Sequence, residues 1–110
     1  MAYINNIPHR EVLSLAAQVE AGSAQVTSKT LVQNKAVSIT LFAFAQGAGI
    51  GTHQSTGDAM VTVLEGTGQF TVEGIEYLCK AGESLVMPAQ KPHAVFAPEA
   101  FKMLLTVVFP

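Results

Sequence analysis

Gly47-Ala48-Gly49-Ile50-Gly51-Thr52-His53-Gln54-Ser55 and, further along, Gly82-Glu83-Ser84-Leu85-Val86-Met87-Pro88 leading to His93 are the stretches that decide the fold. Each opens on a glycine and runs to a histidine. Between them, Val63-Leu64-Glu65-Gly66 and Val72-Glu73-Gly74 read as strands closed by glycine turns. The glycines at 47, 66 and 82 are turn residues that supply backbone freedom at strand junctions. Alternate side chains of a strand share a face, so His53 and Ser55 point the same way.

Outward from these stretches the chain is a series of short strands. Gln25 to Gln33 mixes Val26, Leu31 and Val32 with threonine, serine and lysine, which suits an outer or edge strand. Val37 to Ala45 is rich in β-formers, and Met60 to Leu64 and Gln69 to Glu73 follow it. Glu73-Gly74 reads as the two-residue turn of a hairpin into Ile75–Cys79. Leu85 to Met87, Ala94 to Phe96 and Phe101 to Phe109 complete the set. Pro88, Pro92 and Pro98 fall between these runs, where a missing amide donor does least harm. Many short strands with glycine and proline turns indicate an antiparallel sandwich or barrel. The last strand is apolar on both faces, so one face enters the core and the other meets a partner element or subunit. Before the strands, Val12, Leu15, Ala16 and Val19 recur at helical intervals within Glu11–Val19, between Pro8 and Gly22. That spacing predicts a short N-terminal helix or turn lying over the body of the fold.

The two opening stretches resemble the paired signature motifs of the cupin family. The first family motif is a glycine, five residues, His-x-His, three or four residues, a glutamate, six residues and a glycine; this chain has Gly47, His53, Ser55, Ala59 and Gly66 there. The second places Gly82, Pro88, Gln90, His93 and Ala97 against Gly, Pro-x-Gly, His and Asn. Both glycines and the first histidine match in the first motif, and the glycine, proline and histidine in the second. The stretch between them, Val61 to Leu78, resembles small one-domain cupins of the conserved-barrel type.

The resemblance implies an all-β fold: a cupin-type antiparallel jelly-roll β-barrel, with the short helix ahead of it and residues 1–110 forming one domain. It also implies a barrel pocket around His53, Ser55 and His93, with His93 arriving from a neighbouring strand. Phe42, Phe44, Phe96 and Met87 are candidates for its lining. Complete cupins hold a divalent metal with three histidines and a carboxylate, which suits iron, manganese, nickel, zinc or copper. Here His53 and His93 are the two metal ligands the resemblance leaves, because Ser55 and Ala59 stand where the others would be. Gln54 and Asp58 lie one residue from the needed positions, and only a β-bulge would turn Asp58 inward.

Composition sets the outer bounds. In 110 residues, hydrophobic types make up 49% and charged types 13%, apolar for a small domain. A face buried against a second subunit, giving a homodimer, is therefore expected. The net charge of −2 and the scattered lysines and arginines do not suit a nucleic-acid backbone. The N-terminus lacks the apolar run of a secretory signal, and no stretch has the ~20 apolar residues of a membrane span. Cys79 is the only cysteine, so no internal disulfide forms, in keeping with a cytoplasmic protein. Cys79 itself reads as a small buried hydrophobe, Met60 and Met103 as core, and His9 as a solvated residue.

Two function classes follow. One is an enzyme, either metal-dependent (oxygenase or isomerase type) or metal-free with a histidine as acid or base. The other is a binding or sensing module for a small organic ligand, with no metal needed. A purely structural homodimer would leave the two motif histidines without purpose.

Overall fold

Among the described residues, 2–110 of a computed structural model, nine strands form from the β-rich runs. They are β1 (Val26–Gln33), β2 (Val37–Phe44), β3 (Gly49–His53), β4 (Asp58–Glu65), β5 (Thr67–Val72), β6 (Ile75–Lys80), β7 (Ser84–Met87), β8 (His93–Phe96) and β9 (Phe101–Val108). Two antiparallel sheets result, ordered β1-β2-β9-β4-β7 and β3-β8-β5-β6. Facing each other, they make the jelly-roll barrel that the motifs imply. The Glu73-Gly74 hairpin turn forms between β5 and β6, with both residues at positive φ. Gly47, Gly66 and Gly82 also adopt left-handed φ values of 84°, 75° and 89°. At Gly66 a Cβ would in addition come against the Ala100 carbonyl, so that turn tolerates no side chain.

Period-two alternation sorts the strands between an inner and an outer layer. Phe44, Val61, Val63, Phe70, Val95, Phe101 and Met103 are buried together between the sheets. Phe101 stacks on Phe44 with centroids 4.7 Å apart and meets Phe70 edge-on at 6.1 Å. These rings plug one end of the barrel.

The outer face of the five-stranded sheet carries a second apolar layer around Val19, Leu31, Leu41 and Ala43, with Leu15, Leu64 and Leu104 packed against it. The partner element expected for the second face of β9 is thus the chain's own N-terminal segment. It is clasped by Lys102, whose amine donates to the Ala16 carbonyl at 2.7 Å and to Glu20 at 3.0 Å. Of the short helix or turn expected over Glu11–Val19, a single 3-10 turn forms, Ala16–Gln18. Val19 is buried there but Val12 is fully exposed, so the apolar stripe has nothing to pack on at its N-terminal end. Among the described residues no helix is long and apolar enough to cross a membrane.

Candidate functional site

At the end of the barrel opposite the phenylalanine plug lies a cavity of about 230 Å³. The four-stranded sheet supplies one wall through Ile50 and His53 of β3 and His93 and Val95 of β8. The five-stranded sheet faces it with Phe42 of β2, Ala59 of β4, Met87 of β7 and Met103, Leu105 and Val107 of β9. Ser55, just past β3, lies at the rim.

His53 reaches the cavity through an irregularity in β3. Gly49 and Ile50 pair with Phe96 and Val95, whereas His53 pairs with His93, one residue out of step. Strict alternation from Ile50 would send Thr52 and Gln54 inward. The extra residue reverses the parity, so Ile50, His53 and Ser55 all border the cavity. The bulge is therefore in β3 and not at Asp58, which keeps its register opposite Val108 and stays exposed. Asp58 instead accepts a 2.8 Å hydrogen bond from the Ala89 amide, and the Gln90 amide donates to the Ser55 carbonyl at 2.7 Å. Together these bonds tie the Pro88–Gln90 loop to the rim.

His53 and His93 face each other across the β3–β8 pairing. Their rings meet edge to face at a centroid distance of 4.3 Å, with the two Nε2 atoms 3.1 Å apart. Each Nδ1 is engaged by a backbone carbonyl, Gly51 at 2.8 Å for His53 and Lys91 at 3.2 Å for His93. A carbonyl only accepts, so Nδ1 carries the hydrogen in both rings. In that tautomer the two Nε2 atoms face each other without a hydrogen between them; a proton on either one closes the contact as a hydrogen bond, and a shared cation is the other way to close it. A proton on His93 is disfavoured: burial, and then the neighbouring His53, hold its pKa below the usual histidine range, against a smaller raising effect of the Lys91 carbonyl.

A divalent transition ion fits the pair. Nitrogen ligands about 2.1 Å from a common ion stand ~3.0 Å apart at a right angle and ~3.4 Å apart at the tetrahedral angle, a range that includes the separation here, and backbone carbonyls holding the far ring nitrogens are the usual support of metal-bound histidines. The remaining donors are few. Among the described residues there is no group of three His, Cys, Asp or Glu. Ala59 is buried in the facing wall, and the Ser55 Oγ accepts from the Gly57 amide at 3.2 Å, leaving its hydrogen as a spare donor.

Of the residues read from the sequence, His53, Ser55, His93, Phe42 and Met87 border this cavity and Phe44 does not. Phe44 shares the inner face of β2 with Phe42 but lies deeper, in the stack on Phe101. Phe96 points outward from β8 and is 43% exposed. Met103 is core as read and also borders the cavity, as do Ile50, Val95, Leu105 and Val107, whereas Met60, also read as core, faces outward from β4 and is 42% exposed. Alternation along Phe101–Phe109 already puts Met103, Leu105 and Val107 on one face; which end of that face borders a void is not written in the pattern. His9 lies apart from the cavity, its Nε2 within 2.7 Å of the Ile4 carbonyl.

The family model described as a cupin domain matches residues 40–109. A conserved Streptococcus pyogenes protein of unknown function is 48% identical, covering 100% of this chain and 96% of that one, with a TM-score of 0.96. A cupin superfamily protein from Desulfitobacterium hafniense is 32% identical over 99% of this chain and 100% of its own, with a TM-score of 0.93. A cupin 2 conserved barrel domain protein from Leptotrichia buccalis is 42% identical over 87% of this chain but 47% of its own length, with a TM-score of 0.84. Among curated proteins, none matches this sequence.

Proposed function

The chain belongs to the cupin family, and from that premise we propose that it handles a small molecule in the barrel cavity, at a divalent-ion site held by His53 and His93. The observation that carries this reading is the convergence of the two Nε2 atoms at 3.1 Å, each ring fixed from behind by a carbonyl. A transition ion there would supply Lewis-acid polarisation of a ligand oxygen.

The chain's own residues do the rest. His53, 40 positions away in sequence, and His93 orient the polar end of the ligand. The Ser55 hydroxyl has a hydrogen to donate to it. Phe42, Leu105 and Val107 keep water from the apolar remainder. Among the described residues, the walls contain no carboxylate and no lysine to move a proton. That favours, as a second reading, a binding or sensing module that holds its ligand without turning it over.

The test is metal content at saturation for tag-free protein, equilibrated in turn with iron, manganese, nickel and zinc. One ion per chain, lost in His93→Ala, is the expected result. No ion bound in any of the four would overturn the two-histidine site. Turnover assays on ligands found by thermal shift then separate enzyme from module.

A further inference from the structure

Two open sheets leave four edge strands, and an unpaired edge invites another strand unless it is blunted. Three of the four are blunted here. Along β1, the Asn5 amide donates to the Leu31 carbonyl at 2.8 Å and the Asn6 side-chain amide to the Thr30 carbonyl at 2.7 Å. β3 is five residues long, contains Gly49 and Gly51, and slips its register. β7 has four residues and runs into Pro88. β6 has none of these defences. It pairs with β5 in unbroken register and leaves Ile75, Tyr77 and Leu78 exposed by 59%, 40% and 65%.

Parity decides which of its backbone groups are free. The two-residue turn makes Val72 and Ile75 a hydrogen-bonded pair, so Ile75, Tyr77 and Cys79 turn their amides and carbonyls toward β5. Those of Glu76, Leu78 and Lys80 point away from the sheet. At Lys80 both are taken: its amide donates to the Glu83 carboxylate at 2.8 Å, and its carbonyl accepts from the Glu83 amide at 2.9 Å. Glu76 and Leu78 remain, two donors and two acceptors placed symmetrically about Tyr77, without a partner among the described residues.

We propose that this edge pairs antiparallel with the same edge of a second copy, with Tyr77 on the two-fold axis, joining the two four-stranded sheets into one of eight strands. In that register Glu76 of each copy exchanges both backbone bonds with Leu78 of the other, so every free group is used. Lys80, whose backbone is closed, faces the turn residue Gly74. The charges agree: the acidic start of each strand, Glu73 and Glu76, meets the Lys80 end of the other, where the Glu83 carboxylate is turned back onto its own chain. The groove between β6 and β7, lined by Ile75, Tyr77, Leu85, Val86 and Pro88, takes the apolar side chains of the second strand. The exposed surface of β6 and Val86 is on the order of 600 Å², close to the ~800 Å² that each partner of a standard interface buries. An edge that is its own match suits a second copy of this chain, since a two-fold interface must be self-complementary. The pairing does not involve the two histidines.

Sedimentation equilibrium on the full chain is expected to give twice the 11.6 kDa mass of one chain. Leu78→Pro removes an amide that β5 does not use, so the hairpin stays paired while each copy loses a bond across the axis. The dimer should weaken by about tenfold or more in that variant. Cross-linking reads the register. Tyr77 faces its own counterpart as a non-hydrogen-bonded pair with Cα atoms ~4.5 Å apart, within disulfide range. A chain carrying Tyr77→Cys and Cys79→Ala should therefore link into covalent dimers under mild oxidation. One carrying Leu78→Cys and Cys79→Ala should not, because its counterpart lies two residues along the other strand, beyond the ~7 Å reach of a disulfide. A chain that stays monomeric overturns the proposal. So does a dimer that Leu78→Pro leaves equally tight, or one that links through Leu78→Cys and not Tyr77→Cys. If Leu78→Pro does not fold, the cysteine variants decide, and absence of a link through Tyr77→Cys overturns the pairing.

Discussion

Phe42 and Phe44 lie two residues apart on the inner face of β2, with ring centroids 5.9 Å apart, yet their surroundings differ. Phe44 is 1% exposed and stacked on Phe101, while Phe42 borders the cavity. Truncating them should therefore separate stability from binding. Phe44→Ala opens a void in the plug and should cost about 3–5 kcal/mol in urea unfolding. Phe42→Ala should cost less, since its ring already borders empty space, and should weaken ligand binding more than Phe44→Ala does. Equal unfolding losses would mean that the two rings are equivalent core residues. The alternation that brings both rings inward is legible in Val37–Ala45; their depth along the barrel is not, because it depends on where β9 and β5 place Phe101 and Phe70.

Among the elements, the N-terminal segment lies over the body of the fold as its pattern implies, as a turn and not a regular helix. Helical spacing in Glu11–Val19 reflects real burial of Val19 and partial burial of Leu15, but the segment lies over a sheet as an extended strap with one 3-10 turn. What holds it is a sheet residue, Lys102, 11% exposed at its side chain and donating to the Ala16 carbonyl and Glu20. Lys102→Met keeps the apolar stem and removes the donor. It should free the strap by about 1–3 kcal/mol, the scale of a charged hydrogen bond. Hydrogen exchange should then quicken in residues 12–24 while the strands keep their protection. Unchanged exchange in the strap would show that apolar packing alone holds it. Strand β3 is the counterpart case: its histidine was legible, but not the extra residue that turns it inward.

Across the whole molecule, Cys79 reports on the integrity of the fold. It is buried on β6, and burial, with the nearby Glu83 second, raises its thiol pKa. The thiol therefore keeps its proton in the folded chain at alkaline pH, where the unfolded chain has lost it. By linkage its contribution to stability is complete at neutral pH and declines as pH rises past the ordinary thiol range. Two results are expected: thiol reagents modify native protein only at the rate of unfolding, and Cys79→Ala shows a shallower loss of stability above pH 9. Fast modification of native protein, or an unchanged alkaline slope in the variant, would contradict this.

By itself, the sequence determined the class of fold, nearly every strand, the turns at Gly47, Gly66 and Gly82, and the approach of His93 to His53 from a neighbouring strand. These are local properties: side-chain alternation, backbone freedom and motif spacing leave marks within a few residues. Tertiary structure alone decided three things. It supplied the one-residue slip against β8 by which His53, read from the motif as a pocket residue, comes to face inward, and only the partner strand defines that slip. It decided that Phe44 closes the barrel while Met103, Leu105 and Val107 line its open end. It also left the cavity, among the described residues, without an Asp, Glu, Lys or Arg side chain. Each depends on how far one strand slides along another, a quantity set by the packing of both sheets at once.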